Sequence, residues 1–426
     1  MEKKSGYQTI TYRFRLYCEH KEWLLETQKI YNQVLSFYYQ VLIKEPEVAE
    51  LSSKQKQLRQ LELMTIGARG QEKSTVKYSI PYEKVPLYFR RAAANDAIRI
   101  YRSRVVRQEK TIDELESSFQ ASPIFYKGMY RDFTAVSIEL KLWNGTKWVW
   151  DRCILDTCGR TFPENAQILS PILKIKGNKT MLHIPVQEEV SDVRTVKERV
   201  EQEKMGNICA VAFPSGDCMA VLTILNSEGK SKESLFIRGG KQYAHEKKKL
   251  LNRIRKNRAS MGLLETKEDS LEAVETPSFE ENKYLKEKIK NLSETYAHKI
   301  SRQIVDFCVE RDIKIIVIPN YRQTLNLNQI GYVKATSYDW IGRRIIQYLR
   351  YKAFGKGIVV TSVSTKDIAG KCHICGADVQ RYNKNHNPSK NYYGGKNYIC
   401  PNGHKGNAYL NTAMNVGMKF LQQNSQ

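Results

Sequence analysis

No run of about 18 consecutive apolar residues occurs in the 426-residue chain, so no membrane-spanning helix is expected. The opening MEKKSGYQTITYRF has no hydrophobic signal core, and a cytoplasmic location follows as the expectation. No internal repeat of about 20–50 residues is visible, which argues against a solenoid or propeller. Cysteine is not even in number: nine occur, and in a reducing compartment a disulfide framework is not expected. Acidic charge is the clearest deficit. Asp and Glu total 45 against 69 Lys and Arg, a surplus of +24. On a folded chain such a surplus points to a polyanionic partner, most commonly nucleic acid. A hydrophobic fraction of 41% with 27% charged residues argues against global disorder.

Six cysteines (Cys18, Cys153, Cys158, Cys209, Cys218 and Cys308) are scattered, mostly in apolar runs, and read as small buried hydrophobes. The other three gather near the C-terminus in KCHICG and YICPNGH. Cys372 and Cys375 have the C-x2-C spacing that lets two thiolates bind one zinc, and Cys400 with His404 completes a set of three cysteines and one histidine. Residues 376–399, rich in Asn, Lys, Tyr and Gly, suit a loop or short ribbon hairpin held by the metal. His373 or His386 could replace His404, but His404 has the better spacing; Gly403 stands where a second C-x2-C would place a thiol.

Residues 7–17 alternate as a strand, 19–70 turn helical, and a second helix follows Pro86. That helix carries Arg90, Arg91, Arg99 and Arg102 beside an Ala/Ile stripe, and phosphate contact is the expected role of its basic face. Residues 133–190 are β-like, with a hairpin at Asn144-Gly145 and another around Lys176–Lys179. With the N-terminal strand they suggest a small barrel interrupted by the helices. NICAVAFPSGDCMAVLTILN (207–226) reads as strand, turn, strand, and the helix after it holds Lys247, Lys248, Lys249, Arg253, Arg255 and Lys256. An acidic, poorly patterned insert (259–282) precedes a long helix, the buried strand 313–319, another helix and the strand 357–363. This order indicates an α/β sheet with helices packed on it.

The order of strand, helical insert, β-barrel, basic linker, α/β segment, split zinc ribbon and closing helix resembles the TnpB proteins of transposons and the smallest type V CRISPR effectors. The most specific stretch runs from YDWIGRRIIQYLRYKAFGKGIVVTSVSTKDIAGKCHICG to CPNGHKGNAYLNTAMNVG. The resemblance implies an α+β multidomain fold. Residues 1–17 with 125–195 would form an OB-like wedge barrel and 18–124 a helical recognition insert. Residues 203–370 would form a RuvC-like (RNase H-like) α/β domain, 371–404 a zinc ribbon and 405–426 a closing RuvC-like helix. It also implies that Arg343 and Arg344, with Trp340 beside them, face a guide–target duplex, although Trp340 is equally well explained as core packing.

Members of the family are RNA-guided DNA nucleases whose RuvC site holds divalent metal on three carboxylates. Two-metal phosphodiester hydrolysis needs anionic oxygen ligands for Mg²⁺. At the matching positions this sequence has Ile208, Pro319 and Tyr409. Of the other acids, Asp217 lies in a hairpin turn, Asp312 precedes its strand by roughly 20 Å at ~3.3 Å per residue, and Glu203 lies before the first strand. The expectation is therefore structural Zn²⁺, no catalytic Mg²⁺ and no enzymatic cleavage. The protein would be a nuclease-inactive, prokaryotic, nucleoid-associated binder of a guide RNA and double-stranded DNA, as monomer or homodimer, repressing transcription by occlusion. Three rivals stand beside it: recruitment of a transcription-machinery partner, with 259–282 as its weak candidate surface; an active nuclease with relocated acids; and a guide-free zinc-ribbon DNA-binding protein.

Overall fold

The computed structural model describes residues 5–66, 76–82, 84–106, 119–163, 166–202, 206–214, 216–260, 280–321, 341–389 and 395–424. The chain divides into two compact units, Tyr7–Glu189 and Met1–Gly6 with Val190–Gln426. Among the described residues no helix is long and apolar enough to cross a membrane.

The first unit opens with strand β1 (Gly6–Cys18) and helices α1 (Lys21–Lys44), α2 (Glu47–Glu50), α3 (Lys54–Thr65) and α4 (Leu87–Val106). Strands β2 (Tyr130–Arg131), β3 (Ser137–Trp143), β4 (Trp148–Asp156), β5 (Gln167–Ile168), β6 (Ile172–Lys176) and β7 (Lys179–Val190) follow. They pair in the order β2-β3-β4-β1-β7-β5, with β6 also on β7. Just before β2, Ile124 bridges Ile172 of β6 in antiparallel fashion, so the sheet curls into a half-barrel. The β3–β4 hairpin turns where the sequence predicts: Gly145 takes φ +98°, and Asn144 Oδ1 accepts the Thr146 and Lys147 amides at 3.0 and 2.8 Å.

Helices and sheet share one core here. α1 buries Leu24, Tyr31, Leu35, Tyr38 and Leu42, spaced three, four and seven apart along one face. Ala92, Ala93 and Ala97 of α4 are fully buried, and such small residues let α4 approach α1 closely. Tyr31 donates to Asp96 at 2.8 Å, and the Trp143 amide donates to Thr27 Oγ1 at 2.8 Å, tying α1 to α4 and to β3.

The second unit contains α5 (Val196–Gln202), β8 (Ile208–Ala212), β9 (Cys218–Leu225), β10 (Ser231–Arg238), α6 (Gly240–Ser260), α7 (Glu280–Val309) and β11 (Ile315–Asn320). It continues through α8 (Gly342–Phe354), β12 (Val359–Ser364), β13 (Gln380–Asn383), β14 (His386–Ser389), β15 (Asn397–Ile399), β16 (Lys405–Asn407) and α9 (Ala408–Asn424). A five-stranded sheet runs β10-β9-β8-β11-β12, antiparallel across β10, β9 and β8 and parallel from β8 to β12. β8 and β11 are buried on both faces, which is why their sequences are unbroken apolar runs. Cys209 and Val211 face Ile300, Ile304, Ile345 and Leu349 from α7 and α8. Ile208 and Ala210 face Met414, Val416 and Phe420 of α9. The edge strand β10 escapes sequence reading because Ser231–Ser234 is polar, as edge strands often are.

The architecture is thus mixed α/β. One expectation fails outright: Cys18 and Cys153 are not inert hydrophobes but a bonded pair, on neighbouring strands with Cα atoms 4.4 Å apart. A sequence separation of 135 conceals a direct cross-strand register.

Candidate metal centre and nucleic-acid interface

The ribbon is a four-stranded sheet ordered β14-β13-β15-β16, with the two ligand pairs in turns beside it. In the first turn the Gly376 amide donates to Cys372 O and the Cys372 amide to Ala377 O, both at 2.8 Å. In the second the Gly403 amide donates to Cys400 O at 3.0 Å and the Cys400 amide to His404 O at 2.9 Å. Gly376 and Gly403 take φ +73° and +80°, a conformation that favours glycine, so the sequence anomaly at Gly403 is a turn requirement.

These turns bring Cys372, Cys375, Cys400 and His404 together, with all four ligand atoms within 4.8 Å of one another. Cys375 Sγ lies 3.7 Å from Cys400 Sγ, which is 3.4 Å from His404 Nδ1. The Ala377 amide, helped by His404 and Asn402, pulls the Cys375 thiol down to about 6, toward the thiolate a metal requires. His373 is engaged elsewhere: its amide and Nδ1 lie 2.9 and 2.8 Å from Asn411 Oδ1. His386 lies exposed on β14. A donor set of three sulfurs and one nitrogen suits tetrahedral zinc.

The three positions aligned with the family's acids do not meet. β11 pairs with β8 through Ile316–Cys209 and Val317–Ala210, and two residues further that register sets Pro319 beside Ala212. Ile208 pairs with Leu225, four residues and ~13 Å back along the strand. Tyr409 lies at the other end, its hydroxyl 3.9 Å from where a Cβ on Gly216 would stand. The position level with Pro319 and Tyr409 is therefore Ala212, on the same face as Ile208.

This sheet edge is apolar and cationic. Tyr321 is pushed up to about 12 by burial and hydrogen-bonds the Phe213 backbone. Tyr409 is 8% exposed. Burial lowers the pKa of Arg381, and Tyr409 is close enough to oppose that shift. Arg238 and Lys396 lie near enough to Cys218 to stabilise its thiolate against burial and against Asp217. Asp217 is the carboxylate at this edge, and its backbone O anchors the amides of Gly239 and Gly240 at 3.1 and 2.8 Å. Among the described residues no three carboxylates bring their oxygens within 4.8 Å of one another. Ala212, Pro319 and a phenol do not fit Mg²⁺, which demands hard anionic oxygens.

The basic residues divide. Lys248, Lys249, Arg253, Arg255 and Lys256 are exposed on α6, whereas Lys247 is buried, its ammonium 5.9 Å from the Tyr243 ring centroid. On α4, Arg102 is exposed, but Arg91 forms a bidentate pair with Glu62 at 2.7 and 3.0 Å, and Arg99 pairs with Asp96. Arg90 is half-buried, close to Tyr38, with Nε unpaired. Arg343 is exposed on α8, while Arg344 donates to Lys290 O at 3.2 Å. Trp340 lies outside the described residues.

Known proteins share both the ribbon and the fold around it. Residues 343–416 match the Cas12f1-like TNB domain. Residues 8–144 match the Aq_aa04 family, and no curated protein matches the sequence. Three solved structures are similar over most of the chain. A Cas12f1–sgRNA–target DNA complex is 14% identical, covers 93% of this chain and 81% of its own, and has a TM-score of 0.50. An AacC2c1–sgRNA–extended non-target DNA ternary complex has 10% identity, 94% and 70% coverage and a TM-score of 0.49. The mini-RNA-guided endonuclease CRISPR-Cas_phi3 has 11% identity, 98% and 93% coverage and a TM-score of 0.48. The resemblance to TnpB proteins and compact type V effectors is borne out, by family model in the TNB domain and by fold beyond it.

Sequence reading missed two residues that build the TNB domain. Asn411 and Asn415, four apart on one face of α9, each donate to Lys371 O at 2.7 Å, and Asn415 also reaches Ile368 O at 3.0 Å. They clamp the first ligand turn to the closing helix. An Asn pair at i,i+4 directly after the ribbon was the available signal.

Proposed function

We propose that this protein is a nuclease-inactive, RNA-guided DNA-binding protein. The observation that carries the reading is the sheet edge where Ala212, Pro319 and Tyr409 stand, with Arg238, Arg381 and Lys396 around it, in place of a carboxylate cluster. An edge of that composition repels divalent metal and attracts phosphate. The sheet, in this reading, is a RuvC-like core kept as a scaffold, and the first unit supplies a wedge and recognition helices. The Cas12f1 complex of similar fold contains sgRNA and target DNA, and partners of the same two kinds are assigned here.

Target sequence would be selected by guide–DNA pairing, with the protein reading a short adjacent motif and gripping backbones. The exposed cations of α6, with Arg102 and Arg343, supply sequence-independent affinity. Zinc on Cys372, Cys375, Cys400 and His404 would be structural, cross-linking the second turn to the first, which Asn411 and Asn415 brace. A complex that binds without cutting represses a promoter by occlusion, and this needs no further surface on the protein. A reporter driven by a promoter matched to the guide tests the reading. Reduced expression is expected. Unchanged expression despite demonstrated binding excludes occlusion, and a rise in expression replaces it with recruitment.

A further inference from the structure

The bonded cysteines of the first unit sit among groups that a disulfide does not explain. Cys18 and Cys153 are direct partners across β1 and β4. Side chains two apart on a strand share a face, which brings Asp151 to the Cys153 side of the pair. Cys18, Asp151 and Cys153 present their ligand atoms within 4.8 Å of one another. His20, just past the end of β1, brings Nδ1 to 3.7 Å from Asp151 Oδ1. Its ring stacks on Trp23 at 3.7 Å between centroids and 4° between planes, which fixes the edge turned toward Asp151.

One atom of this group lacks the partner that burial demands. Asp151 is 8% exposed and His20 acts on it through both its imidazole and its backbone, yet Oδ2 makes no hydrogen bond. A buried carboxylate oxygen without a donor is costly, so a missing cation accounts for it better than an apolar wall.

We propose that in the reduced protein Cys18, His20, Asp151 and Cys153 hold one zinc-class divalent cation, separate from the ribbon. Two thiolates, an imidazole and a carboxylate make a four-ligand tetrahedral set. The half-exposed His20 and Cys18 leave an entry path from solvent. The bonded state described here is its oxidised form. Exchange with a small-molecule disulfide links the two: the Cys18 thiolate attacks an oxidant sulfur and expels one thiolate. The Cys153 thiolate then attacks the mixed disulfide at Cys18 and expels the second. Two electrons pass to the oxidant, which leaves as two thiols, and the cation is released.

The test is zinc content per chain of the full-length protein, with peptide mass mapping of the Cys18–Cys153 link. Reduced wild type should hold one equivalent more than Cys18→Ser/Cys153→Ser and more than Asp151→Asn, which keeps both thiols. Titration of the wild type with glutathione disulfide should release one equivalent in step with that link, and this arm needs no variant to fold. Equal zinc in reduced wild type and both variants overturns the proposal, as does zinc retained after the link has formed. The comparison is by difference, so a ribbon without zinc would lower every total equally and leave this result readable.

Discussion

Gly417 of α9 lies directly against β8 and β9: a Cβ there would stand 3.0 Å from Ala210 Cβ and 2.1 Å from Leu225 Cδ1. This contact sets the level of the helix on the sheet. Tyr409, eight residues earlier at ~1.5 Å each, is carried ~12 Å toward the Pro319 end of the strands and away from Ile208. Gly417→Ala should therefore force α9 off β8 and cost about 1–3 kcal/mol, as overpacking of a dense core does. Chemical denaturation checks it, with Gly216→Ala as an unsuitable control because Gly216 itself takes φ +126°.

Asp192 pairs with Arg194 at 2.8 Å and with Arg199 at 3.0 Å, and all three are at most 8% exposed. Arg199 also donates to Gly357 O at 3.0 Å, joining α5 to the turn before β12. Burial pushes the Asp192 carboxyl upward, but the two guanidinium groups overcome it and hold it at about 2, below the ordinary 3.8. Because the folded-state value is depressed, its contribution is complete above the unfolded value and is lost as pH falls from about 4 toward 2. Asp192→Asn should remove that acid-sensitive step and cost about 3–5 kcal/mol at neutral pH, since it strands two buried cations. Melting temperature against pH for both proteins measures this.

In the ribbon, His404→Ala and Cys375→Ser should lose zinc and lower the melting temperature, whereas His373→Ala and His386→Ala should keep the metal. His373 is held by Asn411, and His386 is exposed and not among the four grouped ligands. Zinc content by mass spectrometry separates the two pairs. Retention in His404→Ala with loss in His373→Ala would reassign the fourth ligand.

Alanine at exposed Lys248, Lys249, Arg253, Arg255 or Lys256 should weaken nucleic-acid binding without altering fold. For each phosphate contact removed, the slope of log affinity against log salt should fall by about 0.7 to 0.9. Lys247→Ala should instead lower stability and leave the slope nearly unchanged, because Lys247 is buried against Tyr243. Arg91→Ala should behave likewise through loss of the Glu62 pair. Filter binding over a salt series distinguishes the classes.

What was legible in the sequence was local. The C-x2-C and C-x3-H spacings, the Asn144-Gly145 hairpin and the apolar runs of β8, β11 and β12 all encode structure within a few residues. Ile208 shows the boundary. Its face of the strand follows from apolar alternation, which is local, but its level relative to Pro319 depends on the register between β8 and β11, set about a hundred residues apart. Lys247 is a similar case: in a basic run, only the packing of α6 decides which lysine turns inward. The Cys18–Cys153 pair and the Arg199–Gly357 contact are long-range, and no periodicity carries them.

The central claim is binding without cutting, carried by Ala212, Pro319 and Tyr409 at the sheet edge. Its most direct test is electrophoresis of a plasmid bearing the guide-matched site after incubation with the purified RNA–protein complex and Mg²⁺. The prediction is a target-dependent mobility shift that reverts to intact supercoiled plasmid when the protein is stripped. Nicked or linear plasmid appearing only with the matched guide would contradict it.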